Sequence, residues 1–235
     1  MSILRPFDAT DVLRFHSVNA DPWTATYHNG YYASYLAQWP DWCIAAQPAF
    51  GDSVGAYMIA KHEPPAPDPQ HHGHLTALSI SPAMRGLGLA RVFMAMLERL
   101  SSDGSAGWPA PSPLSPPPPA AAAAEGAPAE GANGNSTPDA DEPPQAPDGT
   151  DCVDAFFVDL FVRCNNHRAT EMYEKLGYSV FRRVVDYYTG MEGVGSSRDE
   201  LDGFDMRKSM PKDTAGRYVR ANGRDILVSP DQVWA

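Results

Sequence analysis

The sequence lacks the features that mark secreted, membrane-spanning and disulfide-rich proteins. Its three cysteines, Cys43, Cys152 and Cys164, are odd in number and widely separated, so they suggest neither a disulfide framework nor a metal-ligand motif. The start of the chain has no apolar signal-peptide core, and the densest apolar run, residues 155–162, is interrupted by Asp159. These absences predict a cytoplasmic protein that does not associate with a membrane.

Positive charge is missing from one long stretch of the chain. Residues 101–150 contain twelve prolines and seven acidic residues but no lysine or arginine. Outside this stretch the 29 acids fall to 22 against 18 bases, so the formal net charge of −11 becomes −4. The sequence has no stripe of basic residues, so it does not predict direct nucleic-acid binding. The composition predicts a disordered, Pro/Ala-rich insertion at 101–150 within one domain formed by residues 1–100 and 151–213, followed by a C-terminal tail at 214–235.

In the remaining sequence, segments with the apolar pattern of strands alternate with segments whose apolar residues recur at helical spacing. Apolar side chains at helical spacing predict helices over residues 8–20, 31–38, 89–100 and 165–176. Runs rich in β-branched and aromatic residues predict strands over residues 42–46, 54–60, 75–81, 155–162, 178–188 and 204–209. This order predicts an α/β fold with a mixed central sheet flanked by helices.

A glycine-rich loop lies between the predicted strand at 75–81 and the predicted helix at 89–100. Its residues are Arg85, Gly86, Leu87, Gly88, Leu89 and Ala90. Glycines allow the backbone N–H groups at a helix start to approach one anion, where the helix dipole adds positive potential. Arg91 stands where a dinucleotide-binding fingerprint needs its third glycine, and the Gly-Lys-Ser/Thr of a Walker A loop is absent. The loop is a candidate phosphate site, with an ordinary turn as the alternative.

The pattern Arg-x-x-Gly-x-Ala after a strand resembles the coenzyme A pyrophosphate loop of the GNAT acetyltransferases, and the order of predicted elements resembles their fold. Further stretches resemble the catalytic subunits of the NatB class of N-terminal acetyltransferases, namely residues 35–40, 72–79, 158–163, 176–178 and 205–208. The resemblance covers residues 3–100 and 152 to about 213.

This resemblance implies acetyl transfer from acetyl-CoA, without a metal, to the α-amine of proteins that begin with Met-Asp, Met-Glu, Met-Asn or Met-Gln. The implied partners are nascent-peptide N-termini and a helical-repeat auxiliary subunit that attaches the enzyme to ribosomes. Where these relatives usually have Thr-Glu-Thr, this sequence has Thr24-Ala25-Thr26. A peptide contact made by that glutamate is therefore missing here.

The resemblance also implies a role for individual residues. The backbone of Leu78, Ser79 and Ile80 would pair with the pantetheine arm, the loop at 85–90 would hold the pyrophosphate, and Asn166 and Tyr173 would face the cofactor. The residues implied on the peptide side are Tyr27, His74, Thr76, Ala77, Phe161, Tyr187 and Tyr188.

The chemistry of acetyl transfer makes Tyr173 the candidate proton donor. An α-amine has an unperturbed pKa of about 7.7–8.0, so part of it is neutral without a strong base. Attack on the thioester creates an oxyanion, which an N–H near Leu78 can stabilise, and a thiolate that needs a proton. A phenol with a pKa near about 10 is closely matched to an alkyl thiol. Packing of its helix against the sheet is the alternative role for Tyr173.

His74 is the candidate for recognising the second residue of the peptide. The protein's negative charge cannot attract an acidic peptide, whereas an imidazole can donate to a carboxylate or an amide. The alternatives are a structural histidine and a metal cluster with His71 and His72, for which the spacing is unsuitable. Tyr187 and Tyr188 either close over the first residue or alternate between the two faces of a strand.

Two other functions stay open at this point. One is a GNAT enzyme that acts on another N-terminus, on lysine or on a small amine, because the glycine loop does not distinguish these substrates. The other is a catalytically silent GNAT-fold module that binds a partner. Arg85, Gly88, Asn166 and Tyr173 argue against the silent module, because it needs none of them.

Overall fold

The computed structural model describes residues 2–21, 24, 26–104, 152–188 and 197–233. Eight strands are present in this part of the chain: β1 (Ser2–Pro6), β2 (Cys43–Pro48), β3 (Ala56–Glu63), β4 (His72–Ile80), β5 (Phe157–Arg163), β6 (Ser179–Val184), β7 (Gly203–Ser209) and β8 (Leu227–Val228). The α-helices described are α1 (His16–Asn19), α2 (Asn29–Gln38), α3 (Leu89–Ser101), α4 (His167–Lys175) and α5 (Arg198–Leu201).

All eight strands belong to one mixed sheet in the order β1-β2-β3-β4-β5-β7-β6-β8. The pairs β4–β5 and β6–β8 are parallel, and the other neighbouring strands are antiparallel. Along the chain, α3 follows β4, and β5 is the next strand after α3. The predicted α/β fold with a mixed central sheet is confirmed.

Alternating side chains of β3 divide the hydrophobic core between the two faces of the sheet. Met58 belongs to a cluster with Phe93 and Leu97 of α3, whereas Tyr57 and Ile59 belong to a cluster on the other face. The second cluster is largely aromatic and includes Phe7, Phe15, Tyr32 and Tyr35. Period-two alternation therefore places α3 and α2 on opposite sides of the same strand.

Several elements differ from their predicted extents. The segment predicted as one helix after Asp8 is a 3₁₀ turn, Ala9–Leu13, followed by the short α1. Asp8 does cap the turn, since its side chain accepts from the Thr10 N–H at 2.8 Å. The strand predicted over 178–188 ends at Val184, because Asp186 adopts a left-handed conformation with φ of 53° and turns the chain. The elements β1, α5 and β8 were not predicted.

Apart from residues 101–104, the predicted insertion lies outside the described residues, as does Ala25. The disorder assigned to 101–150 and the domain boundaries therefore stay predictions. Within the described residues, α3 continues to Ser101. None of the helices in the described ranges has the length and apolar character needed to cross a membrane.

Candidate active site

A cavity opens where two parallel strands separate. Strands β4 and β5 are paired from His72 opposite Phe157 to Leu75 opposite Leu160. Each strand continues beyond this point, β4 to Ile80 and β5 to Arg163. The diverging strands border a cavity of about 380 Å³. A ligand inserted there would meet β4 backbone groups that β5 no longer pairs with.

A β-bulge lies on β4 next to the point where β4 and β5 separate. Ile59 of β3 is opposite Ala77, but the next residue, Ala60, is opposite Leu75, so Thr76 is an extra residue on β4. A bulge bends its strand and re-aims the side chains beside it. Thr76 and its neighbours on β4 consequently line the cavity.

Most of the predicted site residues meet at this cavity. Those in its lining are Tyr27, His74, Thr76, Ala77, Leu78, Ser79, Phe161, Asn166, Tyr173, Tyr187 and Tyr188. Ile80 and the loop at 85–90 lie farther along the chain, at and beyond the C-terminal end of β4. The lining also includes residues that sequence reasoning did not assign to the site: Thr24, Tyr31, Tyr35, Lys61, Leu75, Val162, Arg163 and Ala169.

The glycine loop has the backbone conformation that its sequence predicts. Gly86 and Gly88 have φ angles of +78° and +80°, which favour glycine, and Gly88 is the N-cap of α3. A Cβ atom built on either glycine would meet nothing within 4 Å, so the space above the loop is open. The loop therefore presents the start of a 13-residue helix to an approaching anion.

Contacts within the protein limit how much of its positive charge Arg85 can offer to a ligand. Its guanidinium forms an ion pair with Asp21, and its Nε donates to the Ile80 carbonyl oxygen at 3.0 Å. These contacts hold the side chain against the end of β4, and Asp21 offsets part of its charge. An anion held at this loop would consequently depend more on the backbone N–H groups than the sequence alone suggests.

His74 and Asp159 form a buried pair on adjacent strands. They are directly opposite in the β4–β5 register, and His74 Nδ1 lies 2.8 Å from Asp159 Oδ1. Burial by itself would raise the pKa of Asp159, but the imidazoles of His72 and His74 hold it well below its usual range. Asp159 is therefore an ionised acceptor that orients the His74 ring beside the cavity.

The neighbouring histidines do not form the cluster considered from sequence. His71 Nδ1 contacts the Pro64 carbonyl oxygen instead. A different set, Glu63, His72 and His74, brings one ligand-type atom from each residue within 4.8 Å of the others. Glu63 is already paired with Lys61 and His74 with Asp159, so we assign no metal to this set.

Tyr173 occupies the wall formed by α4. Its side chain is buried and contacts the Tyr178 ring edge-on, with ring centroids 5.9 Å apart. Burial raises the pKa of Tyr173 above the ordinary value for a phenol. The pKa of this phenol is therefore not as close to that of an alkyl thiol as the sequence alone suggests. The same water-poor surroundings also disfavour a charged thiolate, so a group at this position that can donate a proton or a hydrogen bond to the sulfur would still assist the reaction.

Asn166 has a structural role in addition to its place in the cavity lining. It is the N-cap of α4, and its side-chain oxygen accepts from the Ala169 N–H at 3.3 Å. This contact fixes the start of the helix that carries Tyr173. Gly177, with φ of +91°, follows the end of α4 where the sequence predicts a stop.

Paired aromatic rings form two sides of the cavity. Tyr27 stacks on Tyr31 with ring centroids 4.4 Å apart, and Tyr187 stacks on Phe161 at 4.5 Å. Burial raises the pKa of Tyr27 to about 12 and raises that of Tyr187 as well, so both hydroxyls stay protonated. Tyr188 packs edge-on against Tyr187 at 4.9 Å. Because the chain turns at Asp186, both Tyr187 and Tyr188 line the cavity.

A chain of hydroxyl groups connects α2 to the bulge on β4. Thr76 Oγ1 donates to the Tyr35 hydroxyl at 2.9 Å, and the Tyr31 hydroxyl donates to the same oxygen at 3.2 Å. The signal for these residues in the sequence is the crowding of aromatics along 31–39, which exceeds what one core face of a short helix needs.

Comparison with known proteins gives a consistent result across sequence and structure. No protein-family model matches the chain. It is 33% identical to the catalytic subunit of the N-terminal acetyltransferase B complex of Schizosaccharomyces pombe, over 99% of both chains. It is also 33% identical to the corresponding subunit of Arabidopsis thaliana, over 99% of this chain and 98% of the relative.

Two solved structures extend this similarity to the fold. Chaetomium thermophilum Naa20 in complex with a bisubstrate analogue superimposes with a TM-score of 0.71 at 29% identity, covering 99% of this chain and 100% of the other. A NatB acetyltransferase complex bound to a bisubstrate inhibitor gives a TM-score of 0.67 at 28% identity over 98% of each chain.

Proposed function

Because the chain belongs to the family of NatB catalytic subunits, we propose that it transfers the acetyl group of acetyl-CoA to the α-amine of proteins beginning with Met followed by Asp, Glu, Asn or Gln. The observation that carries the proposal is the cavity between the diverging strands, which joins Tyr173 to the His74–Asp159 pair. The proposed setting is the cytoplasm.

The acetyl-CoA side of the proposal rests on backbone geometry. The β4 segment Leu78 to Ile80 continues past the last β4–β5 pair, so its backbone is suited to hydrogen-bond the pantetheine amides. The pyrophosphate would then lie over the loop at 85–90, where Gly86 and Gly88 leave open space before α3. Arg85, fixed by Asp21, adds positive charge at the same end.

The proposed reaction follows from this placement. The neutral α-amine forms a bond to the thioester carbon, and an N–H near Leu78 stabilises the oxyanion that results. The carbonyl then re-forms and the C–S bond breaks; the Tyr173 hydroxyl gives its proton to the CoA thiolate, and its oxygen takes up the proton that the amine nitrogen loses, so the phenol is restored. The raised pKa of Tyr173 keeps it protonated until the thiolate appears.

The peptide would lie against the aromatic sides of the cavity. The stacked pairs Tyr27–Tyr31 and Phe161–Tyr187 provide apolar surface for a first-position methionine. His74 would contact the second side chain, with its ring held by Asp159. We further propose that the chain acts in a complex with an auxiliary subunit, which is a helical-repeat protein that binds ribosomes.

A peptide panel tests the proposed function. Purified protein, alone and with the auxiliary subunit, is assayed for acetylation of peptides beginning Met-Asp, Met-Leu and Ser-Ser. We expect activity on Met-Asp alone, and we expect His74→Ala to lower that activity without a comparable loss of acetyl-CoA binding. Activity confined to another peptide would reject the NatB specificity, and failure to bind acetyl-CoA would favour a silent module.

A further inference from the structure

His74 presents a chemical problem if it recognises both acidic and amide side chains. Asp159 accepts a hydrogen bond at His74 Nδ1, so this nitrogen carries a proton whether the ring is neutral or charged. A neutral ring then has Nε2 only as an acceptor, which suits the N–H₂ of Asn or Gln but repels a carboxylate. A charged ring has an Nε2–H donor, which suits Asp or Glu.

The surroundings of His74 contain charges of both signs. The titratable and charged groups on the neighbouring strands include Lys61, His62 and Glu63 of β3, His72 of β4, Asp159 and Arg163 of β5, and Asp205, Arg207 and Lys208 of β7. The cavity adds the tyrosines Tyr27, Tyr31, Tyr35, Tyr173, Tyr187 and Tyr188. Lys61 is directly opposite His74 and is paired with Glu63, which offsets its repulsion of a charged imidazole. Asp159 is the carboxylate in hydrogen-bond contact with the ring.

We infer that Asp159 is a positioning residue that lets His74 bind the second residue of the peptide in two protonation states. In this arrangement the imidazolium donates from Nε2 to Asp or Glu, and the neutral ring accepts at Nε2 from Asn or Gln. The inference rests on the proposed NatB-type function and adds to it a recognition mechanism with an observable pH dependence.

The sign of this dependence follows from the two states. Acidic peptides require one more proton on the enzyme than amide peptides do, so raising the pH disfavours Met-Asp relative to Met-Asn. The α-amine of both peptides ionises in the same way, and its contribution cancels in the ratio of their kcat/KM values. Across the pH range of the experiment, that ratio should therefore fall by up to about tenfold per pH unit.

The experiment measures kcat/KM for Met-Asp and Met-Asn peptides from about pH 6 to 9 with the full-length enzyme and its auxiliary subunit. Asp159→Asn removes the charge but keeps the side-chain shape, so the ratio at neutral pH should fall by about tenfold or more. Asp213→Asn is the matched control. Asp213 is also buried and hydrogen-bonded, to Ser209 and the Arg217 N–H, and should leave the ratio unchanged.

The pH profile of the unmodified enzyme tests the inference even if Asp159→Asn does not fold. A ratio that stays flat with pH, while activity remains confined to these peptides, would overturn the inference and leave the proposed function intact. Acetylation of other N-termini would overturn the proposed function. In that case the ¹⁵N NMR signals of His74 test the geometry separately, since a proton absent from Nδ1 would contradict it.

Discussion

The two halves of the candidate site are built in different ways. The loop proposed to hold the cofactor, residues 85–90 and here called the cofactor loop, is one continuous segment that offers backbone N–H donors at the start of α3. The surface proposed to hold the peptide, here called the peptide wall, brings together side chains from segments far apart in the chain: Tyr27, Tyr31, Phe161, Tyr187 and Tyr188. The loop depends on φ angles, whereas the wall depends on ring packing.

This difference predicts different responses to substitution. A change in the cofactor loop should alter acetyl-CoA binding through backbone strain, with little effect on the peptide. A change in the peptide wall should displace rings and alter peptide binding, with little effect on acetyl-CoA. Tyr173 lies on α4 at the cavity between these halves and should affect the chemical step instead.

The largest effect is expected for Tyr173→Phe. Removing the hydroxyl removes the proposed donor to the thiolate but keeps the ring that packs beside Tyr178. We expect kcat to fall by roughly 100-fold, with the KM of both substrates changed by less than about threefold. Steady-state kinetics with acetyl-CoA and a Met-Asp peptide provide the measurement.

Tyr178→Phe is the matched control for this prediction. Tyr178 is buried beside Tyr173 in the same core cluster and loses the same atom in the substitution, but it is not among the residues that line the cavity. Its kcat should stay within about threefold of the unmodified enzyme. Equal losses in the two variants would show that Tyr173 acts through packing.

The cofactor loop could be predicted from sequence because its information is local. Glycine spacing, the preceding strand and the following helix are adjacent in the chain, and Gly86 and Gly88 have the positive φ angles that such a loop requires. The partner of Arg85 could not be predicted in this way. Asp21 lies 64 residues earlier, and only the fold brings the two side chains together.

The peptide wall was predicted in part, and mainly through resemblance. Periodicity alone allows Tyr187 and Tyr188 to point to opposite faces of a strand, but the turn at Asp186 ends the strand before them. Lys61 was missed because its strand extends to Glu63, beyond the predicted end at residue 60. Strand ends, turns and bulges are set by tertiary contacts, and these decide which side chains face the cavity.

A smaller effect is expected for Gly88→Ala. The φ of +80° strains any residue with a Cβ, by about 1–2 kcal/mol, and the added methyl enters the open space above the loop. We expect the KM for acetyl-CoA to rise about tenfold, while the peptide KM stays within about twofold. Gly51→Ala is the control, because Gly51 has φ of +100° and equally open surroundings in the β2–β3 turn. An equal rise in both variants would assign the effect to general loss of stability.

The smallest effect is expected for Gly203→Ala, which tests the peptide wall through a residue that contacts two of its rings. A Cβ at this position would lie 3.2 Å from ring carbons of both Tyr187 and Tyr188, so the rings must shift by a few tenths of an ångström. Because the Tyr187 ring stacks on Phe161 and the Tyr188 ring packs edge-on against Tyr187, the displacement should reach the surface that faces the peptide. We expect the peptide KM to rise about threefold to fivefold with the acetyl-CoA KM unchanged, which is the reverse of the Gly88→Ala pattern. If both glycine variants raised the same KM, the two halves of the site would be mechanically coupled rather than separate.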